Sequence, residues 1–109
     1  MAKVSRGTTP TFTFIAPDGL DMTLPLKIWV TFSTMDEKEI LTKTSDDLEV
    51  ETDRVKVYLT QEETLGLANN TKVQLNWVYS DDEMEKRSAS NKMVIETESN
   101  LERVVLNAD

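Results

Sequence analysis

The chain has 109 residues, a size typical of one domain, and its composition excludes several kinds of chemistry. It contains no cysteine and no histidine, which removes disulfides, thiolate nucleophiles, imidazole metal ligands and Ser-His or Cys-His dyads. Twenty acidic residues against twelve basic ones give a net charge of −8, which disfavours nucleic acid as a partner. We therefore expect one domain spanning residues 1–109 that is not an enzyme, uses no cofactor and binds no nucleic acid.

The distribution of apolar residues argues against a membrane protein. No apolar run approaches the ~18 residues that a membrane-spanning helix requires. Residues 1–7 lack the apolar stretch of a signal peptide. These observations predict a protein that is made in a cytoplasm, is kept there until it assembles, and has no membrane partner.

The first half of the chain alternates between apolar and polar residues, the pattern of half-buried strands. A short strand is predicted at 11–14, and residues 17–19 (Pro-Asp-Gly) have turn chemistry. A longer strand is predicted at 26–33. Its core-facing residues are Leu26, Ile28, Val30 and Phe32.

The same period of two recurs to the end of the chain. The further predicted strands are 39–43, 48–51, 54–59, 71–79 and 89–97. About seven short strands at roughly ten-residue spacing are typical of an antiparallel β-sandwich. The fold class predicted from the alternation is therefore all-β.

One helical turn interrupts the strands. Thr60 and Glu63 have the spacing of a capping box, and Gly66 suits the positive φ at which many helices end. We expect a single short helical turn near 61–66 that crosses from one sheet to the other. The tail at 100–106 fits either a helix or a last edge strand.

Two acidic clusters are candidates for calcium binding. They comprise Asp46, Asp47, Glu49 and Glu51 in one, and Asp81, Asp82, Glu83 and Glu85 in the other. Neither has the spaced Asp-x-Asp-x-Asp-Gly loop of a calcium site. Acidic hairpin ends also protect sheet edges from pairing, so we favour solvated loops and expect no metal.

Aromatic residues supply the candidate contact sites. Trp29 and Tyr58 are out of phase with the apolar residues of their strands, so their rings face away from the predicted core. Such rings could be covered by a loop, could anchor a protein partner, or could stack on a glycan. Trp77 and Tyr79 are in phase with their apolar neighbours and are predicted to be core residues.

A set of segments gives the chain a resemblance to a known family. The segments are 6–11 (RGTTPT), 30–32 (VTF), 41–43 (LTK), 59–65 (LTQEETL), 73–77 (VQLNW) and 89–90 (AS). Together they resemble short phage and prophage structural proteins of Gram-positive bacteria. They are also similar to the N-terminal domain of siphophage upper baseplate proteins.

The resemblance implies an immunoglobulin-like sandwich that is a non-enzymatic virion component. Family members usually have a Gly-containing turn between the last two long strands, but residues 81–84 contain no glycine. We therefore expect a longer or looser hairpin there.

The leading hypothesis is a bacteriophage structural or assembly protein of the tail or baseplate, or a protein that decorates the capsid. Its partners would be other virion proteins and, in the assembly, further copies of itself. The alternative is a module that binds carbohydrate or a cell surface through Trp29 and Tyr58.

Overall fold

The computed structural model describes residues 2–16, 20–81, 83–90 and 92–98, together with Val105. The predicted turn at 17–19 lies outside the described residues, as does the tail at 100–106 apart from Val105. The described residues form nine strands: β1 (Ala2–Ser5), β2 (Thr11–Ile15), β3 (Lys27–Ser33), β4 (Glu39–Thr44), β5 (Leu48–Val50), β6 (Arg54–Tyr58), β7 (Asn70–Asp81), β8 (Met84–Ala89) and β9 (Met93–Glu98). One helix, α1 (Gln61–Leu65), and one 3-10 turn (Ser45–Asp47) complete the fold.

The strands form two sheets, which confirms the all-β sandwich. The large sheet has the order β1-β9-β7-β3-β4, with β8 also paired to β7, and the small sheet has the order β2-β6-β5. Three neighbouring pairs of the large sheet, β1–β9, β9–β7 and β7–β3, are not consecutive in the chain. The chain passes between the sheets, for example from β2 to β3 and from β6 to β7. This crossed order of strands is the immunoglobulin-like arrangement.

One edge of the large sheet departs from the antiparallel pairing that we expected. Strand β1 pairs in parallel with β9, so that Ala2 lies opposite Ile95 and Ser5 lies opposite Glu98. Sequence analysis missed β1 because four residues are too few to establish an alternating pattern. Its pairing partner also lies at the other end of the chain.

Alternation in β3 and β6 builds the centre of the core. Val30 and Phe32 of β3 and Val55 and Val57 of β6 are fully buried. The ring of Phe32 packs on that of Phe12 at a centroid distance of 5.9 Å. The buried apolar residues are Val4, Phe14, Met22, Ile28, Val30, Phe32, Val55, Val57, Leu59, Leu67, Val73, Leu75, Trp77 and Ile95.

Leu26 departs from the prediction that it faces the core. Strand β3 begins one residue later, at Lys27, and Leu26 is 62% exposed. Its backbone amide still donates to the carbonyl of Val78 at 2.7 Å, which ties the connection before β3 to the large sheet. The alternation correctly identified which face of β3 is buried, but it could not show how far along the chain the opposing sheet covers that face.

The single strand predicted at 89–97 is two strands separated by a bulge. Ala89 of β8 pairs with Asn76, whereas Met93 of β9 pairs with Val73. Between these pairs β7 advances by three residues and its partner by four, so one extra residue is accommodated, as in a β-bulge. Ser90 secures the irregularity, because its hydroxyl accepts from the Leu75 amide at 3.0 Å.

The β7–β8 hairpin is tighter than we expected from the missing glycine. Asp81 pairs directly with Met84, and Glu83 adopts φ 67°, a left-handed conformation that glycine usually supplies. A second residue, Glu37 in the β3–β4 turn, has the same φ of 67°. The turn is therefore made without glycine, at a cost in backbone strain.

Helix α1 confirms the predicted turn and its capping box. The Thr60 hydroxyl accepts from the Glu63 amide at 3.2 Å, and the Glu63 carboxylate accepts from the Thr60 amide at 2.8 Å. The prediction for Gly66 is wrong, since its φ is −85° and the helix ends in a right-handed conformation. As expected, α1 connects the small sheet to the large one.

Candidate functional site

The two candidate contact residues, Trp29 and Tyr58, lie on opposite sides of the sandwich. Trp29 alternates with the buried Ile28 and Val30 on β3 of the large sheet. Tyr58 is on β6 of the small sheet, one residue after the buried Val57. Each ring therefore faces outward from its own sheet, and the two cannot contribute to one binding site.

Tyr58 belongs to a polar surface of the small sheet. Its ring is 46% exposed, and its hydroxyl donates a hydrogen bond to the Glu49 carboxylate. This hydrogen bond is the main cause that raises the pKa of Tyr58 above its usual value. Glu49 lies opposite Lys56 in the β5–β6 pairing, so acid and base alternate around the ring. Tyr58 lines none of the grooves described below.

Trp29 lies in a shallow polar groove on the outer face of the large sheet. The half-buried indole is flanked on the neighbouring strands by Thr44 and Asn76, its direct cross-strand partners. The groove has a volume of about 420 Å³. Its lining residues are Trp29, Thr31, Glu39, Thr42, Thr44, Asn76 and Arg87. We call it the Trp29 groove.

A third surface, which sequence analysis did not single out, surrounds Trp77. Trp77 is 6% exposed, as expected for a core residue, but it lines two apolar grooves of about 550 and 500 Å³. Large apolar side chains are exposed beside it. They are Ile15 (68%) and Met93 (41%) at the first groove, and Leu24 (75%), Leu26 (62%) and Tyr79 (36%) at the second. We call these residues, with Trp77, the Trp77 surface.

The position of Tyr79 explains why this surface is open. Tyr79 was predicted to be a core residue, and it does lie on the same face of β7 as the buried Leu75 and Trp77. Beyond Trp77, however, that face is lined by the β2–β3 connection, including Leu24 and Leu26, rather than by the small sheet. The β7–β8 hairpin thus presents part of a core-type face to solvent.

The acidic clusters form no metal centre in the described part of the chain. Asp46 and Asp47 lie on the 3-10 turn, and no described group of three or more acidic side chains converges as metal ligands. No helix among the described residues is long and apolar enough to cross a membrane. Asp82 of the second cluster lies outside the described residues.

The fold and its surfaces define an all-β sandwich domain with a polar groove at Trp29 and an open apolar surface at Trp77. No protein-family model matches the chain, and comparisons with curated proteins and with solved structures find no match either. Sequence analysis missed the Trp77 surface because Leu24 and Leu26 precede a strand and their exposure depends on the length of the opposing sheet. The available signal was a pair of leucines, Leu24 and Leu26, on either side of Pro25, because a proline disfavours a central strand.

Proposed function

We propose that this chain is a non-enzymatic structural or assembly protein that acts through protein–protein contacts. The observation that carries the proposal is the Trp77 surface. Contiguous apolar side chains on an otherwise charged small domain mark protein-binding surfaces. Burial of Leu24 and Leu26 alone would contribute about 2 kcal/mol each, because each removes most of an aliphatic side chain from water.

The resemblance of the sequence to phage structural proteins supports a more specific role. In that role the chain is a virion component of the tail or baseplate, or a decoration of the capsid, and it resides in the virion. Its partners are other virion proteins and, in a symmetric assembly, further copies of itself. The net charge of −8 keeps the free domain soluble before it docks.

Mass spectrometry of particles purified from cells that produce the protein tests the proposal. We expect the chain in the particles at a fixed copy number. A double variant, Leu24→Asp with Leu26→Asp, should reduce its incorporation at least tenfold, a loss equivalent to about 1.4 kcal/mol or more. Both side chains are exposed in the free domain, so the fold should persist.

The matched control is Met35→Asp. Met35 is also apolar and is 47% exposed. It lies just after the C-terminal end of β3, whereas Leu26 lies just before the N-terminal end. Its incorporation should equal that of the unmodified chain. Absence of the chain from particles, or full incorporation of the double variant, would contradict the proposal. So would turnover of a substrate by the isolated chain that one carboxylate substitution abolishes.

A further inference from the structure

Two cations lie at one end of the Trp29 groove: Arg87 lines it, and Lys27 lies beside Trp29. Lys27, Val78 and Arg87 form a row across β3, β7 and β8, one step along the sheet from Trp29 and its partner Asn76. The Lys27 ammonium lies over the Trp29 ring, 5.1 Å from the ring centroid. The row therefore places two positive charges beside the indole, although the chain as a whole is strongly acidic.

Neither cation is neutralised by a carboxylate within the described part of the chain. Arg87 instead donates from Nε and Nη2 to the side-chain oxygen of Asn76, at 3.1 and 3.0 Å. Asn76 is 9% exposed, so it is a firm anchor for the guanidinium. An arginine side chain has five N–H donors, which leaves three of them for a ligand. The Arg87 guanidinium is thus held in place by Asn76 and still has N–H donors for a ligand.

The other end of the groove has the opposite character. Glu39 lies across from Ser33, at the far end of β3 from Lys27. Between the two ends, Thr31, Thr42 and Thr44 line the walls with hydroxyl groups. The groove therefore runs from cations, past an aromatic ring and hydroxyls, to a carboxylate that can accept hydrogen bonds.

We propose that the Trp29 groove binds an acidic saccharide, a sugar ring that bears one carboxylate. The carboxylate binds Arg87 and Lys27 through charge-assisted hydrogen bonds. The sugar ring packs against the half-buried Trp29 indole beside the Lys27 ammonium, and the sugar hydroxyls donate to Glu39 and exchange hydrogen bonds with the threonines. The volume of about 420 Å³ accommodates one or two sugar units.

Charge complementarity favours a saccharide over an acidic peptide. A sugar acid combines one carboxylate with several hydroxyl donors, which matches the cations and Glu39 respectively. A peptide with successive acidic residues would place a second carboxylate near Glu39, and like charges in close proximity repel. This site is independent of the Trp77 surface, so its test does not depend on the proposed structural role.

Methyl glucuronide and methyl glucoside form a matched pair of probes, because they differ only in a carboxylate replacing a hydroxymethyl group. Each sugar is titrated into the ¹⁵N-labelled protein, and the shift of the Trp29 indole N–H resonance is followed. The Kd for the glucuronide should be about tenfold or more below the Kd for the glucoside. Added salt should weaken the binding of the glucuronide but not that of the glucoside, since the extra affinity of the glucuronide comes from exposed charges.

Variants assign the effect to the groove. Arg87→Gln should remove most of the preference for the glucuronide, and Trp29→Phe should weaken both sugars about threefold or more. Tyr58→Phe, on the opposite face of the sandwich, should bind like the unmodified chain. Circular dichroism and melting temperature identify any variant that is not folded.

Three results would overturn the proposal. One is the absence of any shift at Trp29 with either sugar at about 50 mM, a concentration that would almost fill a site with a Kd of about 1 mM. Another is equal affinity for the two sugars. The third is tighter binding of a tetraglutamate peptide than of the glucuronide, which would assign the groove to acidic peptides.

Discussion

The hydroxyl of Thr64 accepts a hydrogen bond from the backbone amide of Gly7, 57 residues earlier in the chain, at 2.9 Å. The same hydroxyl lies 2.8 Å from the Thr8 carbonyl oxygen and 3.0 Å from that of Gln61, to which it can donate. Thr64 is the buried residue of α1. One side chain therefore joins the helix to the segment that follows β1.

Thr64→Val should lower the free energy of unfolding by about 2 kcal/mol, because the isosteric valine leaves the Gly7 amide without its acceptor. Thr97→Val is the matched substitution. Thr97 is also buried, at 6% exposed, but its hydroxyl has no hydrogen-bond partner in the described structure. Its replacement should raise stability by about 1 kcal/mol. Urea unfolding measures both, and a loss of stability in Thr97→Val would contradict the assignment.

Stability should fall in acid partly because of Glu63. Burial raises the pKa of Glu63, but hydrogen bonds from the Lys43 ammonium and the Thr60 amide outweigh it and leave the pKa below its usual 4.5. The Lys43 Nζ atom is 2.6 Å from a Glu63 carboxylate oxygen. A lowered folded-state pKa gives stability that is present above the unfolded value and is lost as pH falls through the folded value.

The corresponding measurement is chemical unfolding at several pH values between 7 and 3. Glu63→Gln should be less stable at pH 7 and should lose less stability below about pH 4.5 than the unmodified chain. Glu62→Gln removes the same charge from an exposed neighbour on α1 and is the matched control. Parallel profiles for Glu63→Gln and the unmodified chain would exclude this contribution.

Two glycines should respond in opposite directions to alanine. Gly66 has φ −85°, and an added Cβ would lie 3.5 Å from the Glu63 carbonyl oxygen, an ordinary contact. Gly66→Ala should therefore stabilise by about 0.5–1 kcal/mol through the unfolded state. Gly7 has φ 81°, so Gly7→Ala should destabilise by at least about 1 kcal/mol. Differential scanning calorimetry would show melting temperatures that move in opposite directions.

Ser90 should be more important than its half-exposed position suggests. Ser90→Ala removes the acceptor of the Leu75 amide and should cost about 1 kcal/mol. Hydrogen exchange at Leu75 should become faster, while exchange at Val30, its partner on β3, should change only with global stability. Ser80→Ala, on the exposed part of β7, is the control. Unchanged exchange at Leu75 would show that the bulge does not depend on this hydroxyl.

Features that depend on nearby residues could be predicted from the sequence, whereas features that depend on tertiary contacts could not. The alternation of β6 and the capping box of α1 are local, and both were predicted correctly. The outward orientation of Trp29 and Tyr58 also followed from phase alone. The phase of Tyr79 was correct as well, but its burial was not, because burial depends on whether the other sheet extends that far. Strand β1 was missed for a similar reason, since its pairing with β9 is set by tertiary structure.

The parallel pairing of β1 with β9 has a mechanical consequence. Because the two strands run in the same direction, residue 2 and residue 98 lie at opposite ends of their shared ladder. A force that pulls these two points apart acts along the strands and loads the hydrogen bonds in shear, all at once, rather than peeling them one at a time. The edge of the large sheet is therefore built to resist stretching of the domain along this axis.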